Sequence, residues 1–135
     1  MTAISFYLFE KSVERQVQSA CRLARKVLKI TPKLWWYCPS KELQHTLDDL
    51  LWSFDPTSFI THGIDETTGQ VCISGNLPTE GEWIIFNFSD DVIAVKDTFK
   101  HIIEIVENTE ASKITGRDKF KQYRQLGIEP RTFKL

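Results

Sequence analysis

Two short apolar runs, ISFYLF (Ile4 to Phe9) and KLWWYC (Lys33 to Cys38), constrain most strongly what this chain can fold into. A strand with one wet face alternates polar and apolar residues. ISFYLF lacks that alternation and reads as a strand covered on both faces, the habit of parallel sheets, and KLWWYC reads as a second strand. Between the two runs the period changes. Val13, Val17, Ala20, Cys21, Ala24, Val27 and Leu28 recur at steps of three and four, giving an amphipathic helix that ends near Ile30 with Pro32 just beyond. Pro39 and Ser40 introduce a second helix, with Ser40 as N-cap and Leu43, Leu47, Leu50 and Leu51 on its inner face. SFITHG (Ser58 to Gly63) reads as a third strand. QVCISG and EWIIFNFS follow, flanked by Gly69, Gly75, Pro78 and Gly81, turn residues that suit a hairpin or meander at a sheet edge. Two helices are expected to close the chain. The first runs near Val95 to Val106 with Phe99, Ile102, Ile103 and Val106 inward; the second runs near Ser112 to Leu126 with Gly127 as its stop. Strand, helix, strand, helix, strand is the grammar of a mainly parallel sheet covered by helices on both faces. At 135 residues, the expectation is one α/β domain over residues 1–135.

Several chemistries lack their residues. No stretch approaches the roughly 20 apolar residues of a membrane span, and MTAISFYLF has no charged leader, so it reads as a strand and not as a signal peptide. Cys21, Cys38 and Cys72 are far apart, odd in number and without a CxxC pair, which argues against a disulfide framework or structural zinc and for a reduced, cytoplasmic setting. A fold of this kind binds nucleotides at the turn after its first strand. That turn, FEKSVER, has no glycine to let a phosphate near the backbone, and Glu10 would repel one. The expected topology is therefore nucleotide-binding-like without a phosphate loop, and no cofactor is expected. His45, His62 and His101 show no HxH or HxxxH spacing for a metal. The SDD run (Ser89 to Asp91) reads as a turn and cap before the next helix, Cys38 as an inert buried thiol, and Ser12 has no positioned base. No catalytic constellation emerges.

Charge is distributed unevenly. From Ala111 to Leu135 seven Lys or Arg stand against two acids, a net of +5, while the preceding 110 residues carry a net of −6. Within the last helix, Lys113, Arg117, Lys121 and Arg124 recur at steps of four, four and three and form one stripe, with Ile114, Phe120 and Tyr123 along its margin. Such a stripe fits a solvated face, a surface that tracks nucleic-acid phosphates, or one that holds an acidic peptide ending in a carboxylate beside an apolar side chain. The pattern by itself leaves all three open.

FYLF at the N-terminus, LDDLLWSFDPTSFITHG from Leu47 to Gly63 and RDKFKQYRQLG from Arg117 to Gly127, in this order and spacing, resemble the chi subunit of bacterial DNA polymerase III. The resemblance implies a non-catalytic accessory protein of the clamp-loader assembly with a nucleotide-binding-like α/β fold. It implies two partners: the psi subunit, and through it the clamp loader; and the acidic C-terminal tail of single-stranded-DNA-binding protein, which ends in Phe. Contact with nucleic acid would be mostly indirect. Carried over from the family, Arg117 would hold the tail's terminal carboxylate, Lys113 and Lys121 would attract its aspartates, and Phe120, where the family commonly has Tyr, would wall the pocket. Tyr123 and Arg124 match the family pattern as helpers. The psi interface falls around Trp52, Phe59 and His62.

Overall fold

A computed structural model describes residues 2–9, 16–53 and 60–134. The described elements run β1 (Ala3–Leu8), α1 (Gln16–Val27), β2 (Leu34–Tyr37), α2 (Lys41–Ser53), β3 (His62–Ile64), β4 (Val71–Ser74), β5 (Trp83–Asn87), β6 (Phe99–Val106), α3 (Glu110–Gln125) and β7 (Arg131–Lys134). The strands form one seven-stranded sheet in the order β3-β4-β2-β5-β6-β1-β7, and each pairing is parallel.

The both-faces-buried reading of ISFYLF holds, with Ile4 and Phe6 in one core and Phe9 in the other, and β2 is covered in the same way. Trp35 and Trp36, adjacent on β2, enter different cores. Trp36 packs with Ala20, Ala24, Leu47 and Leu51 under α1 and α2, whereas Trp35 belongs with Phe6, Ile85, Ile102 and Tyr123 under α3. The path from β1 through α1 to β2 and that from β6 through α3 to β7 cross the sheet in opposite directions. Right-handed crossovers of opposite sense put their helices on opposite faces, which is where α1 and α3 lie. Ser40 caps α2 as its chemistry suggests, its Oγ accepting from the Leu43 amide at 3.2 Å. Among the described residues, no helix is long and apolar enough to cross a membrane.

Three expectations fail. The segment from Val95 to Val106 is not a helix: Phe99 to Val106 form β6, a central strand between β1 and β5. Its Phe99, Ile102, Ile103 and Val106 spacing satisfies a helix, but Ile102 through Val106 are buried without a break, which only a strand covered on both sides accommodates. The β-branched Ile and Val residues prefer that conformation. The QVCISG and EWIIFNFS segments do not form an edge hairpin either. β4 and β5 lie on the two sides of β2, with Leu34 paired to Val71 on one side and Ile84 on the other. All of β4 and the second half of β5 are buried, and a parallel interior covers both faces of such segments where an edge hairpin would wet one. One strand was not anticipated: β7 pairs with β1 at the sheet edge, Phe133 stacking on Tyr7 with centroids 5.0 Å apart. The SDD run forms a bend after β5 with no helix following it.

Candidate functional site

The stripe owes its orientation to what α3 buries. Thr109 caps the helix, its Oγ1 accepting from the Ser112 amide at 3.2 Å. At the other end the Gly127 amide bonds to Arg124 O and the Ile128 amide to Tyr123 O. Gly127 has φ +83°, so the helix ends in the glycine-dependent motif its sequence announces. Gly116 lets the helix lie close on the sheet: a Cβ there would stand 2.9 Å from Val106 Cγ2.

One and two turns on, two polar side chains point inward to a buried carboxylate. Lys119 Nζ sits 2.9 Å from Glu104 Oε1 and also donates to Ser89 O. Tyr123 Oη donates to Glu104 Oε2 at 2.8 Å, Asn87 Nδ2 donates to the same oxygen at 2.7 Å, and the Ile93 amide donates to Tyr123 Oη. Burial pushes the Glu104 carboxyl above its ordinary range; the Lys119 ammonium and the hydrogen bonds from Asn87, Lys119 and Tyr123 oppose that rise. Burial and the Glu104 charge also raise the Tyr123 phenol, so it stays protonated as a donor. Gly116, Lys119 and Tyr123 thus fix the rotation of α3, and Lys113, Arg117, Lys121 and Arg124 are left on the outer side.

Beside the stripe lies a groove of about 210 Å³ between α3 and the β1–β7 edge. Phe6, Leu8, Val106 and Phe120 supply apolar lining, Thr132 of β7 contributes one wall, and Lys113 and Arg117 bring charge to it. Phe120 is half-buried and rests on Phe6, ring centroids 5.4 Å apart. Lys113 is half-buried; Arg117 and Lys121 are exposed. Among the described residues, none of these three cations has an acidic group within ion-pair distance, whereas Arg124 Nε lies 3.9 Å from Glu129. The arrangement offers an apolar slot with cations beside it, the complement of an apolar side chain next to a carboxylate.

The groove therefore unites Lys113, Arg117 and Phe120. Lys121 and Arg124 lie further along the helix and extend the positive field without lining it. Tyr123 is completely buried and offers no surface to a ligand; its part is structural. Sequence reasoning missed Phe6, Leu8, Val106 and Thr132, because only the parallel pairing of β1 with β6 and β7 brings them beneath α3.

A larger cleft of about 550 Å³ opens on the other flank of α3, near the carboxyl ends of β5 and β6. Nucleotide phosphates occupy such edges in other α/β folds. Here Asp90, Glu104, Glu107 and Asp118 line it against one Lys119, a poor setting for phosphate. The FEKSVER turn, from Glu10 on, lies outside the described residues.

On the opposite face, Trp52 at the end of α2 is 64% exposed. His62 is not a surface residue: its ring is buried at 5.5 Å from that of Trp52, with Nδ1 2.7 Å from Ile60 O and Nε2 3.1 Å from Asp48 Oδ1. Phe59 lies outside the described residues. Cys21, Cys38 and Cys72 are buried free thiols, and burial pushes the thiols of Cys38 and Cys72 up, the latter to about 11.

The family model described as DNA polymerase III chi subunit, HolC, matches residues 1–131. Among curated relatives, DNA polymerase III subunit chi of Pseudomonas aeruginosa is 28% identical over 139 aligned residues, covering 100% of this chain and 98% of its own. The subunit of the same name from Haemophilus influenzae is 25% identical over 133 residues, with 90% of each chain covered. With a match that extends from β1 into β7, the chain belongs to the DNA polymerase III chi subunit family, whose members are non-catalytic accessory subunits in DNA replication.

Proposed function

We propose that this chain is an adaptor in the bacterial cytoplasm. Through the psi subunit it joins the clamp loader, and through the α3 groove it holds the acidic C-terminal tail of single-stranded-DNA-binding protein. The groove carries this reading: an apolar slot sized for one side chain, with Lys113 and Arg117 at it and Lys121 and Arg124 beyond. Arg117 takes the terminal carboxylate, a charge-assisted contact that can be bidentate. The tail's final Phe enters the slot against Phe6 and Phe120. Lys113 and Lys121 attract the upstream aspartates and mainly speed encounter. Trp52, packed over His62, is the anchor offered to psi, as tryptophan is enriched among residues that dominate interfaces.

Direct nucleic-acid binding by the same stripe is the competing function. The slot favours the peptide, because phosphates along a strand present no apolar side chain for it to bury. Fluorescence anisotropy of a labelled acidic peptide ending in Phe decides between them. The expected dissociation constant is on the order of micromolar, near −8 kcal/mol. Deleting the terminal Phe abolishes measurable binding, and Arg117→Ala costs about 1–3 kcal/mol. Equal binding of the peptide with and without its Phe would sink the adaptor reading for this groove and leave a general polyanion surface.

A further inference from the structure

The sheet has an open edge beside the groove. β7 pairs with β1 on one side, and among the described residues no strand pairs with its other side. All four residues of β7 are exposed, whereas the three of β3, at the opposite edge, are partly covered. An open edge presents amides and carbonyls that another extended chain can complete. Alternate residues of a paired strand bond to the neighbour, so the remaining residues of β7 turn their N–H and C=O outward. Natural sheets guard such an edge with charge. The charged residues of β7 are Arg131 and Lys134, both positive. That guard is selective: a second copy of β7 would bring like charges together, and an acidic strand brings opposite ones.

Both faces of β7 suit an acidic strand. Thr132 pairs with Phe6 and lies on the groove side, where Phe120, Lys113 and Arg117 also stand. Phe133 stacks on Tyr7, which packs in the layer of α1, so it lies on the other side. Arg131, two residues earlier, shares that side. Among the described residues, Arg131 has no acidic group within ion-pair distance. A strand added along β7 lies about 4.8 Å beyond it, with side chains alternating between the two sides. One set reaches over Thr132 toward the slot and the α3 cations, and the other meets Arg131. Consecutive acids thus find positive charge on both sides. We infer that the acidic tail binds as an added strand along β7, with its terminal Phe turned into the α3 groove. This placement rests on the peptide reading of that groove and adds what aligns the residues ahead of the Phe: backbone pairing, with Arg131 as a further contact.

The test is an ester scan of the labelled acidic peptide ending in Phe, read by anisotropy with the full chain. Each peptide bond ahead of the terminal Phe is replaced in turn by an ester, which removes an N–H donor and leaves side chains and charge unchanged. An added strand turns only alternate residues toward β7, so losses of roughly fivefold or more should fall at every second position. Hydrogen exchange of the amides at 131–134 should slow when the peptide is bound. Arg131→Gln changes one exposed side chain and is expected to keep its melting temperature. It should weaken the acidic peptide about two- to fivefold at low salt, and have no effect on a peptide whose Asp residues are replaced by Asn. Equal affinity across the ester series, or unchanged exchange at 131–134, overturns the added strand. If the parent peptide then still needs its terminal Phe and Arg117, the groove reading stands and only the strand falls; if the parent peptide does not bind at all, both fall. An Arg131→Gln protein that binds as tightly as the unaltered chain overturns the contact assigned to Arg131.

Discussion

Lys119 shows how little a residue's type says about its task until its surroundings are known. It sits among the exposed cations of the last helix, yet its ammonium is buried against Glu104 and Ser89, where it balances a carboxylate that burial would otherwise drive toward its protonated form. Breaking one side of a buried pair costs more than the pair contributes, because a charge is left unmatched. Lys119→Met is therefore expected to destabilise the fold by about 3–5 kcal/mol at neutral pH. The pH dependence follows from the direction of the Glu104 shift. A carboxyl whose folded pKa is raised contributes stability below its unfolded pKa and loses it as pH rises through the folded value. The deficit of Lys119→Met should shrink on going from pH 8 to pH 5, since Glu104 then takes up a proton in the folded state. Denaturant melts of both proteins across that range check it; a deficit that stays constant would mean that Glu104 is not the group responsible.

At the scale of elements, legibility followed how much each segment explains by itself. α3 was readable from both ends, because its basic stripe and Gly127 are local signals. β1 and β2 were readable because an unbroken apolar run has few other homes. β6 was not, since FKHIIEIV fits a helix face and a doubly buried strand equally well until its neighbours β1 and β5 are known. β7 was silent for a different reason: its four residues are exposed, and an edge strand of that kind carries no burial pattern. The groove inherits both gaps, because Val106 comes from β6 and Thr132 from β7. Gly116 ties the helix to β6. Alanine there gains roughly 1 kcal/mol of helix propensity. It also puts a methyl group 2.9 Å from Val106 Cγ2, on a stiff β-branched side chain of a central strand. Overpacking of this kind costs about 1–3 kcal/mol, so Gly116→Ala should be net destabilising and should weaken peptide binding by lifting α3 from the groove floor. Trimming the obstacle with Val106→Ala in the same chain should return part of both losses, read by thermal melts and anisotropy. A double variant that is merely the sum of two defects would show that the close approach is not what Gly116 provides.

The whole molecule has its two candidate protein-binding features on opposite faces of one sheet. Trp52 belongs to the layer of α1 and α2, and the groove belongs to the layer of α3, with seven paired strands between them. The proposed adaptor must hold both partners at once, and this separation permits it: each proposed site has its own surface, and the two share no side chain. Substitutions without shared partners add within about 0.3–0.5 kcal/mol. Trp52→Ala should therefore weaken binding of psi, by 2 kcal/mol or more if the ring is a hot spot, and leave the affinity for the acidic peptide unchanged. Arg117→Ala should do the reverse, and the double variant should carry both losses and no more. Titrating labelled peptide into the chain alone and into the chain saturated with psi reads the coupling directly, and equal affinities are expected. If psi expels the peptide, the two partners share a surface, and a bridge from clamp loader to coated strand cannot be built from these two faces.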